Sequence, residues 1–164
     1  MSKYTNQLFR NNLLMALLGT VFLSFALISQ HVFGYEPCTL CIEIRFWLAA
    51  AVAVSITSSL ISLEKRKIGA IGNMLSAGLF GAAAVWAAKL VMLERGMIQG
   101  AGCSPFTFYH QTLPLHEWAP SVFEVRGFCG EPAMILDVIA YSELSLLGLA
   151  VLAIYAIRSA IVNR

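Results

Sequence analysis

Apolar and polar positions are segregated along this chain rather than interleaved. Residues 1–11 are largely polar and carry Lys3 and Arg10. A run from about Leu13 to Phe33 follows without a single Lys, Arg, Asp or Glu, long enough to cross a bilayer as a helix. A second apolar run covers about 41–63 and is broken sharply by Glu64-Lys65-Arg66-Lys67. A third covers about 68–93, and a fourth about 135–157. Residues 94–134 differ: Gly96, Gly100, Gly102, Pro105, Pro114, Pro120, Gly127, Gly130 and Pro132 rule out one continuous helix. The pattern predicts an all-α transmembrane four-helix bundle, one integral membrane domain over 1–164, with a single long loop. Inside that loop Leu115, Trp118, Val122 and Phe123 recur at helical spacing, which predicts a short amphipathic helix lying on the membrane or a segment packed over the bundle with Trp118 as its plug.

Within the runs, small and hydroxylic residues are placed for helix packing. Ser55, Thr57, Ser58, Ser59 and Ser62 fall late in the second run, where hydroxyls bond back to the helix or to a neighbour. Gly69, Gly72, Ala77, Gly78 and Gly81 give the third run a small-residue face suited to close approach. The first run lacks a small-residue cleavage site at its polar end, so a retained span is expected rather than a removed leader.

Composition sharpens this picture. Hydrophobic residues make up 59% of the chain and charged residues 12%, too few charges to cover a water-soluble domain of 164 residues. The net charge of +2 carries no basic stripe with interleaved aromatics, so nucleic-acid binding is unsupported. Where the cations sit is informative. Lys3, Arg10, Lys65, Arg66, Lys67, Arg158 and Arg164 share one side of a four-span layout, which predicts both termini in the cytoplasm. Cys38, Cys41, Cys103 and Cys129 then all face the opposite, oxidising side, where disulfides persist.

Chemistry concentrates in Pro37-Cys38-Thr39-Leu40-Cys41-Ile42-Glu43-Ile44-Arg45, where one apolar run ends and the next begins. The spacing places both cysteines in the first turn of the second helix, on one face, where free N–H groups and the dipole favour a thiolate. Arg45 lies one turn beyond Cys41 on the same side. A buried cation there is expected to stabilise the Cys41 thiolate or to polarise a carbonyl oxygen of a lipid-soluble electron acceptor. The plainer alternatives are an ion pair with Glu43 or Glu143, or snorkelling. For the cysteines, two couples on one side suggest a catalytic relay by thiol–disulfide exchange between a mobile loop pair and a helical pair. The alternative is a non-enzymatic membrane scaffold with two structural disulfides. Zinc is unsupported, because His31, His110 and His116 add no second compact ligand pair to the C-x-x-C, so no metal is expected.

The turn around Cys38 and Cys41, together with Cys103, the stretch Leu113-Pro114-Leu115-His116-Glu117-Trp118-Ala119-Pro120-Ser121-Val122-Phe123 and Gly127-Phe128-Cys129, resembles the DsbB family of bacterial inner-membrane disulfide-bond formation proteins. The resemblance covers nearly the whole chain. It implies a quinone-dependent oxidoreductase of the bacterial inner membrane, with its cysteines facing the periplasm. Such a protein reoxidises a periplasmic thioredoxin-like, DsbA-like dithiol oxidase and passes the electrons to ubiquinone or menaquinone in the membrane pool. It further implies that Cys103 captures the partner, that Cys129 is its disulfide mate, and that Cys41, paired with Cys38, engages the quinone with Arg45 beside it. A low-pKa Cys41 would both leave well and donate electron density to the quinone ring. Family members can have a histidine near the quinone site at the end of the third span; this chain has Glu94-Arg95 there.

Overall fold

A computed structural model describes residues 3–98, 104, 106–110, 112–129, 134–135 and 139–162. Among them four helices are long and apolar enough to cross a membrane: Thr5–Phe33, Thr39–Glu64, Lys67–Glu94 and Tyr141–Val162. These lie within α1 (Lys3–Phe33), α2 (Thr39–Glu64), α3 (Arg66–Glu94) and α6 (Tyr141–Val162). The first helix starts about ten residues before its apolar run, because the polar lead-in continues the same helix.

Each helix end has a local cause. Gly34 stops α1 with φ +72°, a left-handed conformation that side-chain-bearing residues resist. Gly96 does the same for α3 at φ +69°. There its N–H reaches the Leu93 carbonyl at 3.0 Å and Met97 N–H the Met92 carbonyl at 2.9 Å, which satisfies two orphan carbonyls. Between α2 and α3 the chain reverses over Lys65 alone, the C-cap of one helix and the N-cap of the next.

So tight a reversal needs small residues behind it. A Cβ on Gly69 would lie 2.6 Å from Ser62 Cβ and 2.7 Å from Ser62 Cα, and one on Gly72 would overlap the Ser58 hydroxyl. Two serines of α2 bond back to the helix as expected, Ser59 donating to the Ile56 carbonyl and Ser62 to the Ser59 carbonyl, each at 2.7 Å, whereas the Ser55 hydroxyl is buried without a partner. Met15, Leu48, Ala51, Phe80, Ala83, Leu149 and Leu152 build the centre of the bundle. The outer faces stay apolar, with Val21, Val85 and Val151 all more than 60% exposed, as a lipid-facing surface requires.

The connection between α3 and α6 contains two single-turn helices, α4 (Leu115–Trp118) and α5 (Pro120–Phe123). The amphipathic stretch is thus broken, since Pro120 starts a new turn and the preceding Ala119 leaves helical geometry. Trp118 is 69% exposed, so it is not a plug in the bundle. The fourth span, expected from about 135, is helical only from Tyr141. Ahead of it Met134–Ile135 (β1) pairs antiparallel with Ile139–Ala140 (β2).

Candidate functional site

The first turn of α2 carries the chemistry, shifted by one position from the expected arrangement. Cys38 is not inside the turn; it is the N-cap, in extended conformation at φ −78° and ψ 171°. Its sulfur takes the place of the usual Ser or Asp oxygen, accepting the Cys41 N–H at 3.4 Å. The two sulfurs lie 2.9 Å apart as free thiols. Because Cys38 accepts from the Cys41 thiol and then from two backbone amides, its pKa falls below the ordinary 9.0 despite burial.

Both cysteines and Arg45 line one cavity of about 100 Å³ between α1, α2, α3 and α6. Its walls include Phe22, Ile44, Leu48, Leu90 and Leu149, with Phe128 among the lining residues on the loop side. Arg45 is 6% exposed and spans the wall rather than snorkelling. Its Nη1 donates to Gln30 Oε1 at 2.5 Å and to the Val122 carbonyl at 3.1 Å, and its Nη2 to the Ala26 carbonyl at 3.1 Å. Neither expected carboxylate is its partner: Glu143 takes Arg95 at 2.6 Å, and Glu43 accepts the Phe108 N–H at 3.2 Å. The guanidinium is held by neutral oxygens, with no carboxylate in hydrogen-bond contact.

Glu94 also lines the cavity and accepts a hydrogen bond from the Ser142 hydroxyl, while Arg95 turns away to Glu143. Of the Glu94-Arg95 pair, only Glu94 faces the space between the helices. Gln30 was not legible as a site residue. Its Nε2 is buried without a partner and, like Arg45, the residue lines the cavity. The available signal was a lone amide late in an otherwise apolar run.

The loop reaches the same place from outside. Arg126 and Gly127 both donate their N–H to the Pro37 carbonyl at 3.1 Å, directly before Cys38. A Cβ on Gly127 would stand 2.6 Å from the Glu36 carbonyl oxygen, so this approach needs glycine. Cys129 is disulfide-bonded and packs against the buried cluster of which Cys38 is a member. Cys103, the expected partner-capturing cysteine, lies outside the described residues.

A quinone suits the donor set of the cavity: a guanidinium without a carboxylate partner and an unpartnered amide N–H for a carbonyl oxygen, apolar walls for a ring, and a dithiol at the edge. Residues 10–158 match the family model described as disulfide bond formation protein DsbB. The chain is 40% identical over 116 residues to disulfide bond formation protein B 2 of Pseudomonas aeruginosa, covering 69% of this chain and 67% of that relative. It is 32% identical over 108 residues to disulfide bond formation protein B of Shewanella loihica, covering 63% and 60%. Against disulfide bond formation protein B of Ralstonia nicotianae it is 27% identical over 142 residues, 87% of either chain.

Proposed function

Because the chain belongs to the DsbB family, we propose that it is a membrane oxidoreductase that reoxidises a periplasmic DsbA-like dithiol oxidase and delivers the electrons to a membrane quinone. Both termini are then cytoplasmic and the loop between α3 and α6 is periplasmic, in keeping with the placement of the cations. The observation that carries the reading is the joint position of a free Cys38–Cys41 pair and an Arg45 without a carboxylate partner on one largely apolar cavity.

The relay balances as follows. A thiolate of the reduced partner attacks the loop disulfide at Cys103, forming a mixed disulfide and releasing Cys129 as thiolate. The partner's second thiol then closes the partner disulfide and frees Cys103. The loop dithiol reduces the Cys38–Cys41 disulfide by the same exchange. Each transfer moves two electrons and leaves two thiols behind. A quinone held by the Arg45 and Gln30 donors would supply the final sink for two electrons and two protons. Cys38 and Cys41 then re-form their disulfide.

The residues around the cavity make that last step possible. Arg45 and Gln30 offer N–H donors where negative charge would develop on a carbonyl oxygen, between apolar walls. The first-turn amides hold the sulfur of Cys38 as an acceptor, which favours thiolate in the reduced pair. In the periplasmic system to which this family belongs the partner oxidase is itself strongly oxidising, at about −120 mV. Exchange alone therefore gives a thin driving force, and removal of electrons into lipid keeps the cycle moving.

Anaerobic mixing of the purified protein with a reduced thioredoxin-like oxidase and ubiquinone or menaquinone tests the proposal. Quinone absorbance and partner thiols should disappear in equal amounts. A folded protein that consumes neither is a scaffold with structural disulfides.

A further inference from the structure

Glu43 sits between Cys41 and Arg45 in sequence but on the opposite side of α2, since residues two apart on a helix face away from each other. It is only 5% exposed. Its Oε1 accepts the Phe108 N–H at 3.2 Å, and its Oε2 is buried without a hydrogen bond. Burying a half-satisfied carboxyl is costly. Its one hydrogen bond among the described residues is to the loop.

That contact is the centre of a docked segment. The Phe108 ring stacks on Trp47 at 5.5 Å and 15° and lies parallel to Trp86 at 6.5 Å. Tyr109 stacks on Phe46 at 4.5 Å. Lys89 closes the far end, its ammonium 4.6 Å from the Trp86 ring centre. Thr107 and Tyr109 are buried, although they belong to a connection rather than to a helix. One turn of α2 thus presents the Cys–Arg face to the cavity and a carboxylate with flanking aromatics to the chain that follows Cys103.

We propose that Glu43 is a positioning residue: it fastens residues 106–110 to the C-x-x-C helix and so sets the reach of the loop disulfide toward Cys38 and Cys41. This rests on the relay reading above. The rings supply most of the buried area, but rings slide. The amide–carboxylate bond fixes register, because it is made at a set distance and angle to one particular backbone N–H, that of Phe108.

Full-length protein in lipid nanodiscs tests this with three forms: wild type, Glu43→Leu, which fills the space without an oxygen, and Glu43→Gln, which restores an acceptor. Amide exchange at Phe108 should be slow in wild type, about tenfold or more faster in Glu43→Leu, and slow again in Glu43→Gln. Turnover with the reduced partner oxidase and quinone should fall about tenfold in Glu43→Leu and recover in Glu43→Gln. In a Cys103→Ser/Cys129→Ser background, quinone reduction driven by dithiothreitol should be the same with and without Glu43→Leu, since that reaction bypasses the loop. Fast exchange at Phe108 in wild type overturns the fastening without need of any variant. Equal losses in the partner-driven and dithiothreitol-driven reactions overturn the positioning role and move Glu43 to the quinone site. If the Cys103→Ser/Cys129→Ser protein reduces no quinone at all, the relay reading fails and takes the reach with it; the exchange result then stands or falls separately.

Discussion

The two ends of the bundle bury similar kinds of polar residue and use them in opposite ways. At the reversal between α2 and α3 and in the helices packed beside it, most polar groups face each other, although Asn12 and the Asn73 Oδ1 are buried there without a hydrogen bond, away from any cavity that collects them. Asn11 and Asn73 both donate to the Ser159 hydroxyl at 3.1 Å, Tyr155 donates to Asn11 at 3.2 Å, and glycines lie against serines. At the cysteine end the polar groups converge on a cavity. Arg45, Gln30, Glu94 and the two thiols line it, and its donors are left partly unspent. The first arrangement is glue between helices. The second leaves capacity for something that the chain itself does not contain. Buried polarity alone therefore does not mark a site in this protein; buried polarity directed at a cavity does.

Substitutions at the two ends should separate accordingly. The largest effect belongs to Cys41→Ser, which should abolish quinone reduction while mixed-disulfide formation with the partner persists. Quinone loss at the wild-type rate would remove Cys41 from the electron path. Arg45→Ala should follow, weakening quinone use about 10- to 100-fold through KM while partner capture stays intact, as expected for loss of a charged donor. A rate that stays unchanged across quinone concentrations would leave Arg45 a purely structural brace.

At the packing end the sign of the comparison reverses. Gly69→Val places side-chain atoms where Ser62 already stands, and should cost about 1–3 kcal/mol of stability. Quinone turnover per folded molecule should not change. A fall in turnover without a fall in melting temperature would mean that the two ends are coupled. Asn73→Ala should be milder, about 1 kcal/mol in the same melting assay.

The smallest effect is a pH dependence confined to the loop clamp. Burial raises the Tyr109 hydroxyl from 10.0 to about 12. The unfolded chain gives up this proton first, so stability from the neutral phenol is complete below pH 10 and is lost as pH climbs through about 12. Tyr109→Phe should flatten that alkaline decline in a pH series of melting curves.

Much of this was legible in the residues. Four spans follow from run length, and the C-x-x-C turn with Arg45 one turn on was visible as a shared face. Two things were not. The N-cap role of Cys38 was hidden because a sulfur cap looks like any cysteine in sequence. The partners of Arg45 were hidden because they are mostly carbonyls. Ala26 and Val122 show no polarity in their side chains, so no reading of residue types finds them. The same limit applies to the start of α6, where a brief strand pairing displaces an apolar stretch that looked helical.

The double grip on the Pro37 carbonyl has a kinetic consequence. Cys129 follows that fastening by two residues, a leash of about 7 Å at full stretch. Its sulfur is thereby confined to a small sphere near Cys38 and Cys41, and their meeting becomes an intramolecular event at high effective molarity. Handover along the chain would then run at a rate indifferent to how dilute the protein is, leaving the encounters with the soluble partner and with the quinone as the concentration-dependent steps.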